Sequence, residues 1–444
     1  YTFWDNFTAE SSMQFNYAES SNRRLTPTAF FGSGKVFNNP GRPALFENKD
    51  LFRDYTFDNF ITYDNRFGDD HNLKVLLGMS VLINQGQFSG VTQGFFGEPV
   101  NFAEADNANA EETINGRILA GLSGKFDQRL LSYFTRIQYD YKGKYLFSGV
   151  IRRDGSTRFG PANRFGYFPS ASVGWIASDE NFLANNKTIN FLKFRGSYGI
   201  IGNDKIRANA FRGILDGEGT YVLNNNLIFG QAVGILPNSA IGWEEQKTFD
   251  IGLDMRLLND KVDITADYFQ KRTDGLLLQP PVSGILGSSA PGTQPPFINS
   301  GIVDNTGFEF AIGYNTDFSE DMSFGINYNV TFLKNEVITV NDGVGFLQGG
   351  GFGVGQDFPS RMEAGKPIGY FFGLETNGLF QNQGEVDAHA TQPNAGPGDL
   401  RFVDQNGDGL IDSDDRVDIG NPIPDATMGL NLSFEYKNFD FGAY

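Results

Sequence analysis

The run Asp404-Gln405-Asn406-Gly407-Asp408-Gly409-Leu410-Ile411-Asp412-Ser413-Asp414-Asp415 carries oxygen donors at the spacing D-x-N-x-D-G-x-I-D-x-x-D. That is the pattern of a calcium loop. Asp404, Asn406 and Asp408 offer side-chain oxygens at loop positions 1, 3 and 5, and Gly409 permits the sharp turn at position 6. Leu410 offers its carbonyl, Asp412 stands at position 9 and Asp415 at position 12. Carboxylate and carbonyl oxygens are hard donors, which suits Ca2+. A shorter Asp replaces the usual bidentate Glu at position 12, which leaves coordination there open. The competing explanation is an Asp/Asn/Gly-rich surface loop. The joint match of the oxygen positions with the glycine favours calcium. No helices flank the run, so it is expected to be a structural clip and not a switch.

The other candidates are weaker. His71 and His389 lie far apart in sequence, so surface or turn roles are favoured over a metal site or a catalytic base. Gly349–Gly355 has no Lys-Ser/Thr pair and opens no helix, which argues against a phosphate loop. No carboxylate pair is singled out as catalytic, and no enzymatic activity is expected. The chain has no cysteine, which excludes a disulfide scaffold and thiolate metal sites. A net charge of −18 argues against a nucleic-acid surface.

The elements that must carry such a loop read as strands. In Thr248–Tyr268, Phe249, Ile251, Leu253, Met255 and Leu257 alternate with Asp250, Gly252, Asp254 and Arg256. After the turn Leu258-Asn259-Asp260, Val262, Ile264, Ala266 and Tyr268 alternate with Asp263, Thr265 and Asp267. Strict alternation gives a hairpin with one apolar and one charged face. The pattern recurs in about twelve segments along the chain, at Tyr1–Ala18, Leu51–Asn65, Leu73–Leu82, Leu131–Tyr141, Tyr145–Arg153, Phe168–Ala177, Phe191–Ile200, Gly307–Asn315, Phe324–Phe332, Met428–Lys437 and the hairpin itself.

Short connections alternate with long ones, near 20–50, 83–130, 154–167, 201–245, 276–305 and 337–426. Outer-membrane barrels show this asymmetry, whereas a soluble sandwich has short loops at both ends. The 44 phenylalanines fit either a packed core or a lipid-facing wall. Serial charges on the opposite face need bulk water, which a wide lumen supplies. No apolar run is long enough for a membrane helix, but membrane strands need only about 10 alternating residues. The expected fold is therefore all-β, a transmembrane antiparallel β-barrel with long external loops.

Several stretches resemble the SusC/RagA-like group of TonB-dependent outer-membrane transporters of Bacteroidetes. They are S-Y-F-T-R-I-Q-Y-D-Y at Ser132–Tyr141, then K-G-K-Y-L-F, R-R-D-G-S-T-R-F-G at Arg152–Gly160 and F-G-Y-F-P-S-A-S-V-G-W at Phe165–Trp175. L-K-F-R-G-S-Y-G-I-I-G-N-D at Leu192–Asp204, G-W-E-E-Q at Gly242–Gln246 and P-I-G-Y-F-F-G at Pro367–Gly373 follow in family order. G-D-L-R-F-V-D-Q-N-G-D-G and I-G-N-P-I-P-D at Ile419–Asp425 complete the match.

The resemblance implies a 22-stranded barrel plugged by an N-terminal domain. It also implies TonB-driven import of glycan or peptide oligomers, and a SusD-like lipoprotein lid over the external loops. Residues 1–444 are then expected to be the barrel portion, with 337–426 as an external loop carrying the calcium motif. Tyr1 opens directly in strand-like sequence, so the plug, the TonB-contacting segment and the last strands are expected to lie outside the chain. Two alternatives remain: a soluble secreted calcium-stabilised β-protein that binds carbohydrate, and a passive porin.

Overall fold

The computed structural model describes residues 2–27, 29–30, 36–37, 44–94, 123–184, 186–207, 209–215, 217–224, 226–280, 294–340, 345–351 and 358–444. Fourteen strands form one antiparallel sheet: β1 (Thr2–Phe3), β2 (Phe7–Thr26), β3 (Ala44–Phe67), β4 (His71–Gly94), β5 (Ser123–Tyr141), β6 (Tyr145–Ser156), β7 (Phe165–Ile176), β8 (Ile189–Asn203), β9 (Glu244–Leu257), β10 (Val262–Asp274), β11 (Ile302–Ser319), β12 (Met322–Thr339), β13 (Ala426–Tyr436) and β14 (Phe439–Ala443). Neighbours in the sheet are neighbours in sequence throughout. Strand direction therefore alternates without a skip. All the short connections fall at one end of the sheet, and the connections 27–43, 95–122, 157–164, 204–243, 275–301 and 340–425 all fall at the other.

The two faces differ as the alternation requires. Ile251 is 53% exposed on the apolar face, and Phe57, Leu77, Ile137, Phe194 and Phe308 are exposed with it. On the opposite face Asp267 is only 8% exposed, held among charged and polar neighbours. A soluble sheet buries its apolar face; here the apolar face is the bare one, which only a lipid solvent satisfies. The hairpin between β9 and β10 turns where Leu258, Asn259 and Asp260 all take positive φ (57°, 58° and 62°), with Asn190 Oδ1 accepting from Asn259 N at 2.7 Å.

The twelve expected strands are all present. Two more flank them, the two-residue β1 and the terminal β14. The strands also run further toward the long-loop end than alternation shows, so the loops are shorter than expected: 27–43 in place of 20–50, 95–122 in place of 83–130, and 340–425 in place of 337–426. Beyond the apolar band both faces meet water, and no apolar alternation is needed. There β2 and β3 stay paired through polar cross-strand contacts, Arg23 Nε to Glu47 Oε1 at 2.6 Å and Lys49 Nζ to Glu19 Oε1 at 3.3 Å. Much of the loop expected near 83–130 and of Gln279–Pro296 lies outside the described residues.

Apolar side chains that are fully buried gather where the long connections root in the sheet. Phe159, Ile206, Ala210 and Ile241 form one cluster with Trp243, Phe211, Leu277 and Phe297. Val303, Val337, Val340 and Met362 form another. Above them the connection 340–425 builds a four-stranded sheet of its own from Phe346–Gln348, Ser360–Glu363, Tyr370–Leu374 and Arg416–Gly420.

Candidate functional site

The polar face is a wall of paired charges. Arg195 on β8 stands opposite Gly252 on β9, which stands opposite Asp267 on β10. Its guanidinium reaches Asp254 Oδ2 at 3.1 Å, Asp250 Oδ1 at 3.4 Å and Asp267 Oδ2 at 2.6 Å. One cation thus meets three carboxylates, and this stretch of wall keeps a negative excess. Toward the short-turn end the same face opens into a recess of about 570 Å3 bordered by Lys74, Asp140, Ser148, Lys193, Arg195 and Asp250. Charged groups of both signs around small residues suit a polar, water-filled passage, not an apolar ligand.

The motif blocks meet at the root of the loops. Ser156 Oγ donates to Asp204 Oδ2 at 2.6 Å, and Arg158 donates to the Ile206 carbonyl at 2.9 Å and to Gln128 Oε1 at 2.5 Å. Trp243 packs 5.2 Å from Phe159 and 5.1 Å from Phe168, ring to ring, and donates to the Arg164 carbonyl at 3.2 Å. Glu244 accepts from Asn203 Nδ2 at 2.9 Å and from Leu277 N at 3.0 Å. Arg152–Gly160, Leu192–Asp204 and Gly242–Gln246 are therefore one physical node that fixes where three long loops leave the sheet.

The oxygen-rich loop is folded on its own backbone. Asp404 accepts from Gly407 N at 2.7 Å and Gly409 N at 2.9 Å. Asn406 Oδ1 accepts from Asp408 N, Asp408 Oδ1 from Leu410 N and Asp412 Oδ1 from Asp414 N, each at 2.8 Å. Asp415 is fully buried and accepts from Gln405 N at 2.8 Å, Asn406 N at 3.4 Å and Asp412 N at 2.9 Å. The Asp412 amide, with those of Gln405 and Asn406, holds the Asp415 carboxyl below the usual carboxylate range. Gly407 and Gly409 sit at φ 75° and 83°, which glycine takes without strain. Ile411 is buried and donates to the Thr391 carbonyl at 2.9 Å.

Asn406, Asp408, Leu410 and Asp412 are exposed, Asp404 is half-buried, and all are brought to one turn. Among the described residues, no three His, Cys, Asp or Glu side chains stand together as a metal set. The donor chemistry fits a hard cation, while Asp415 serves here as the acceptor hub of the loop.

The histidines are structural. His71 Nδ1 lies 2.7 Å from the Tyr139 hydroxyl, and His389 Nε2 donates to the Phe402 carbonyl at 2.8 Å. Gly349 N donates to the Ser360 carbonyl at 2.9 Å, a strand-end contact, and residues 352–357 lie outside the described set. Sequence alone did not single out Arg195 or Tyr370. Arg195 sits in an alternating strand like any lumen charge, and its three partners come from two other strands. Tyr370 is 2% exposed and donates to Glu363 Oε2; burial, then that carboxylate, pushes its hydroxyl up to about 12.

A bare apolar face, a charged opposite face and a one-sided layer of loops define an outer-membrane β-barrel. The chain belongs to the family described as TonB dependent receptor-like, beta-barrel, which matches residues 1–444. It is 29% identical over 453 aligned residues to the TonB-dependent receptor P3 of Formosa agariphila, covering all of this chain and 43% of that protein. It is 32% identical over 325 aligned residues to the TonB-dependent receptor SusC of Bacteroides thetaiotaomicron, covering 70% of this chain and 30% of that one. The fold resembles a solved structure of the RagAB peptide transporter, with a TM-score of 0.73, 19% identity, and 99% of this chain and 46% of that chain covered. The chain spans less than half the length of these relatives. A soluble secreted β-protein is set aside by the family and by the bare apolar face.

Proposed function

We propose that this chain is the barrel portion of an outer-membrane importer that takes up oligomeric nutrients, glycans or peptides, with energy delivered through TonB and a SusD-like lipoprotein seated on the long-loop face. One observation carries the proposal: the six long connections leave the same end of the sheet and build an ordered layer with its own sheet and buried clusters. Long connections that are ordered at this scale usually make contacts. The charged wall beneath them suits a hydrated, polar cargo. The names of the relatives, a SusC and a peptide transporter, support oligomers as the cargo class.

Asp404, Asn406, Asp408, Asp412 and the Leu410 carbonyl would hold Ca2+, with Asp415 direct or through water. The ion would stiffen the loop that faces the partner.

The test replaces residues 345–420 by a short linker in the full-length protein, gently extracted from its native membrane. The barrel should still insert, and co-purification of the lipoprotein should be lost. Uptake that persists without TonB would favour the passive porin. Absence of any lipoprotein partner from the unaltered protein would sink the lid.

A further inference from the structure

The Arg152–Gly160 block holds three arginines, and two are absorbed by the protein. Arg152 donates to Asp154 Oδ1 at 2.7 Å and to Ser132 Oγ at 2.8 Å on the polar face. Arg158 serves the loop root described above. Arg153 lies between them in sequence and, by strand alternation, on the opposite face from Arg152.

That face is the bare one. The cross-strand neighbours of Arg153 are Tyr133 on β5 and Tyr167 on β7, both exposed, and Ile151 and Phe147 continue the exposed row along β6. The guanidinium carbon stands 3.8 Å from the Phe165 ring centre and 5.8 Å from that of Tyr167. Among the described residues no carboxylate pairs with Arg153, and its Nε is buried without an acceptor. Other cations toward the long-loop end are neutralised: Arg129 by Asp127 at 2.8 Å, Lys247 by Asp274 at 2.8 Å and Arg272 by Asp304 at 2.6 Å.

An arginine in a lipid-facing wall is tolerated where its charge reaches the headgroups. The guanidinium fork matches phosphate oxygens in pairs, and stacked rings fix its plane before binding. Arg153 lies near the long-loop end of β6, three residues from its last residue, Ser156. This is the external end of the barrel, since short turns face the periplasm.

We propose that Arg153, held by Phe165 and Tyr167, binds the phosphate of an outer-leaflet lipid, whose acyl chains lie along Ile151 and Phe147. The site rests on the outer-membrane placement of the barrel and on nothing about its cargo or partner.

The full-length protein in mild detergent is titrated with short-chain phosphatidic acid, with diacylglycerol of the same chains, and with inorganic phosphate. Bound lipid is counted by native mass spectrometry. The unaltered protein should retain phosphatidic acid severalfold over diacylglycerol. Arg153→Gln should lower phosphatidic acid to the diacylglycerol level. Phe165→Leu, which keeps the charge and loses the ring, should fall between. Arg129→Gln, at a cation already paired, should change nothing. Heat-modifiable migration checks that each variant folds. Undiminished retention in folded Arg153→Gln overturns the site, as does an equal loss in Arg129→Gln. Full displacement of the lipid by inorganic phosphate overturns the lipid assignment in favour of a free-anion site. A protein that stays soluble without detergent would instead fail the membrane placement, a separate result.

Discussion

Arg195 Nη2 and Asp267 Oδ2 meet at 2.6 Å although a whole strand separates them, because the strand between carries Gly252 at the crossing. A β-carbon there would stand 2.5 Å from Arg195 Cζ and would also collide with Asp267 Oδ1. The glycine is thus the gap through which the ion pair passes, and the pair draws β8, β9 and β10 together on the lumen side.

Gly252→Ala should therefore destabilise the barrel by about 1–3 kcal/mol, the usual cost of overpacking. Arg195→Gln leaves Asp267, 8% exposed, without its cation. A broken buried pair costs about 3–5 kcal/mol. Arg195 is about a third exposed, so roughly 2 kcal/mol is expected after solvent screening. Both should lower the temperature at which the folded band is lost in heat-modifiability gels. If Gly252→Ala migrates and melts as the unaltered protein does, the close crossing is wrong.

A second expectation concerns the faces. Ile251→Arg sits on the bare apolar face near the middle of β9 and should cost about 2–4 kcal/mol. Thr265→Arg on the charged face of β10 stands opposite Asp254 and should cost under about 1 kcal/mol. Urea unfolding from lipid vesicles reads the difference. Equal costs would mean that the two faces share one solvent.

The alternation in Thr248–Tyr268 was enough to place the hairpin, its two faces and the asymmetry of the connections, because lipid and lumen impose opposite demands on successive residues. What alternation could not show was the length of the strands. Arg23 opposite Glu47, and Glu19 beside Lys49, lie above the apolar band, where the pattern that marks a strand disappears while the hydrogen-bonded ladder continues. Nor could it show the loop-root node. Phe159, Ile206 and Trp243 come from three separate connections, and only their meeting explains the separate sequence blocks. The calcium spacing was visible because all its donors are local, but the burial of Asp415 depends on how Gln405 and Asp412 fold back on it.

Tyr370 offers a test of the loop layer. Its hydroxyl is raised to about 12 by burial and by Glu363, so the neutral form is favoured in the folded loop. An ordinary tyrosine ionises near 10. Its contribution is therefore complete below about pH 10 and is lost as the pH rises through about 12. In a spectrophotometric titration of the folded protein, one late-ionising tyrosine should vanish in Tyr370→Phe. An unchanged titration would show that Tyr370 is not the buried donor to Glu363.

The oxygen-rich loop gives the sharpest separation between scaffold and ligand. Asp415 is buried and holds three backbone N–H groups, so its carboxyl lies below the ordinary value. A depressed carboxyl stabilises the fold above the unfolded value of about 4, and that contribution is lost as the pH falls through the lower folded value. Pepsin cleavage within 396–425 should accordingly stay slow at pH 4 and accelerate only well below it. Asp415→Asn, which offers a single acceptor oxygen to the three amides, should be cut rapidly at every pH. Asp408→Ala leaves those three amides satisfied and removes an exposed oxygen, so its effect should depend on calcium. In the unaltered protein, chelator should raise neutral-pH protease sensitivity of 396–425 severalfold, and added Ca2+ should restore resistance. In Asp408→Ala neither addition should matter. Chelator without effect on the unaltered protein, at neutral pH and with the Asp415→Asn loop still labile, would leave the hydrogen-bonded hub intact and remove calcium from the loop.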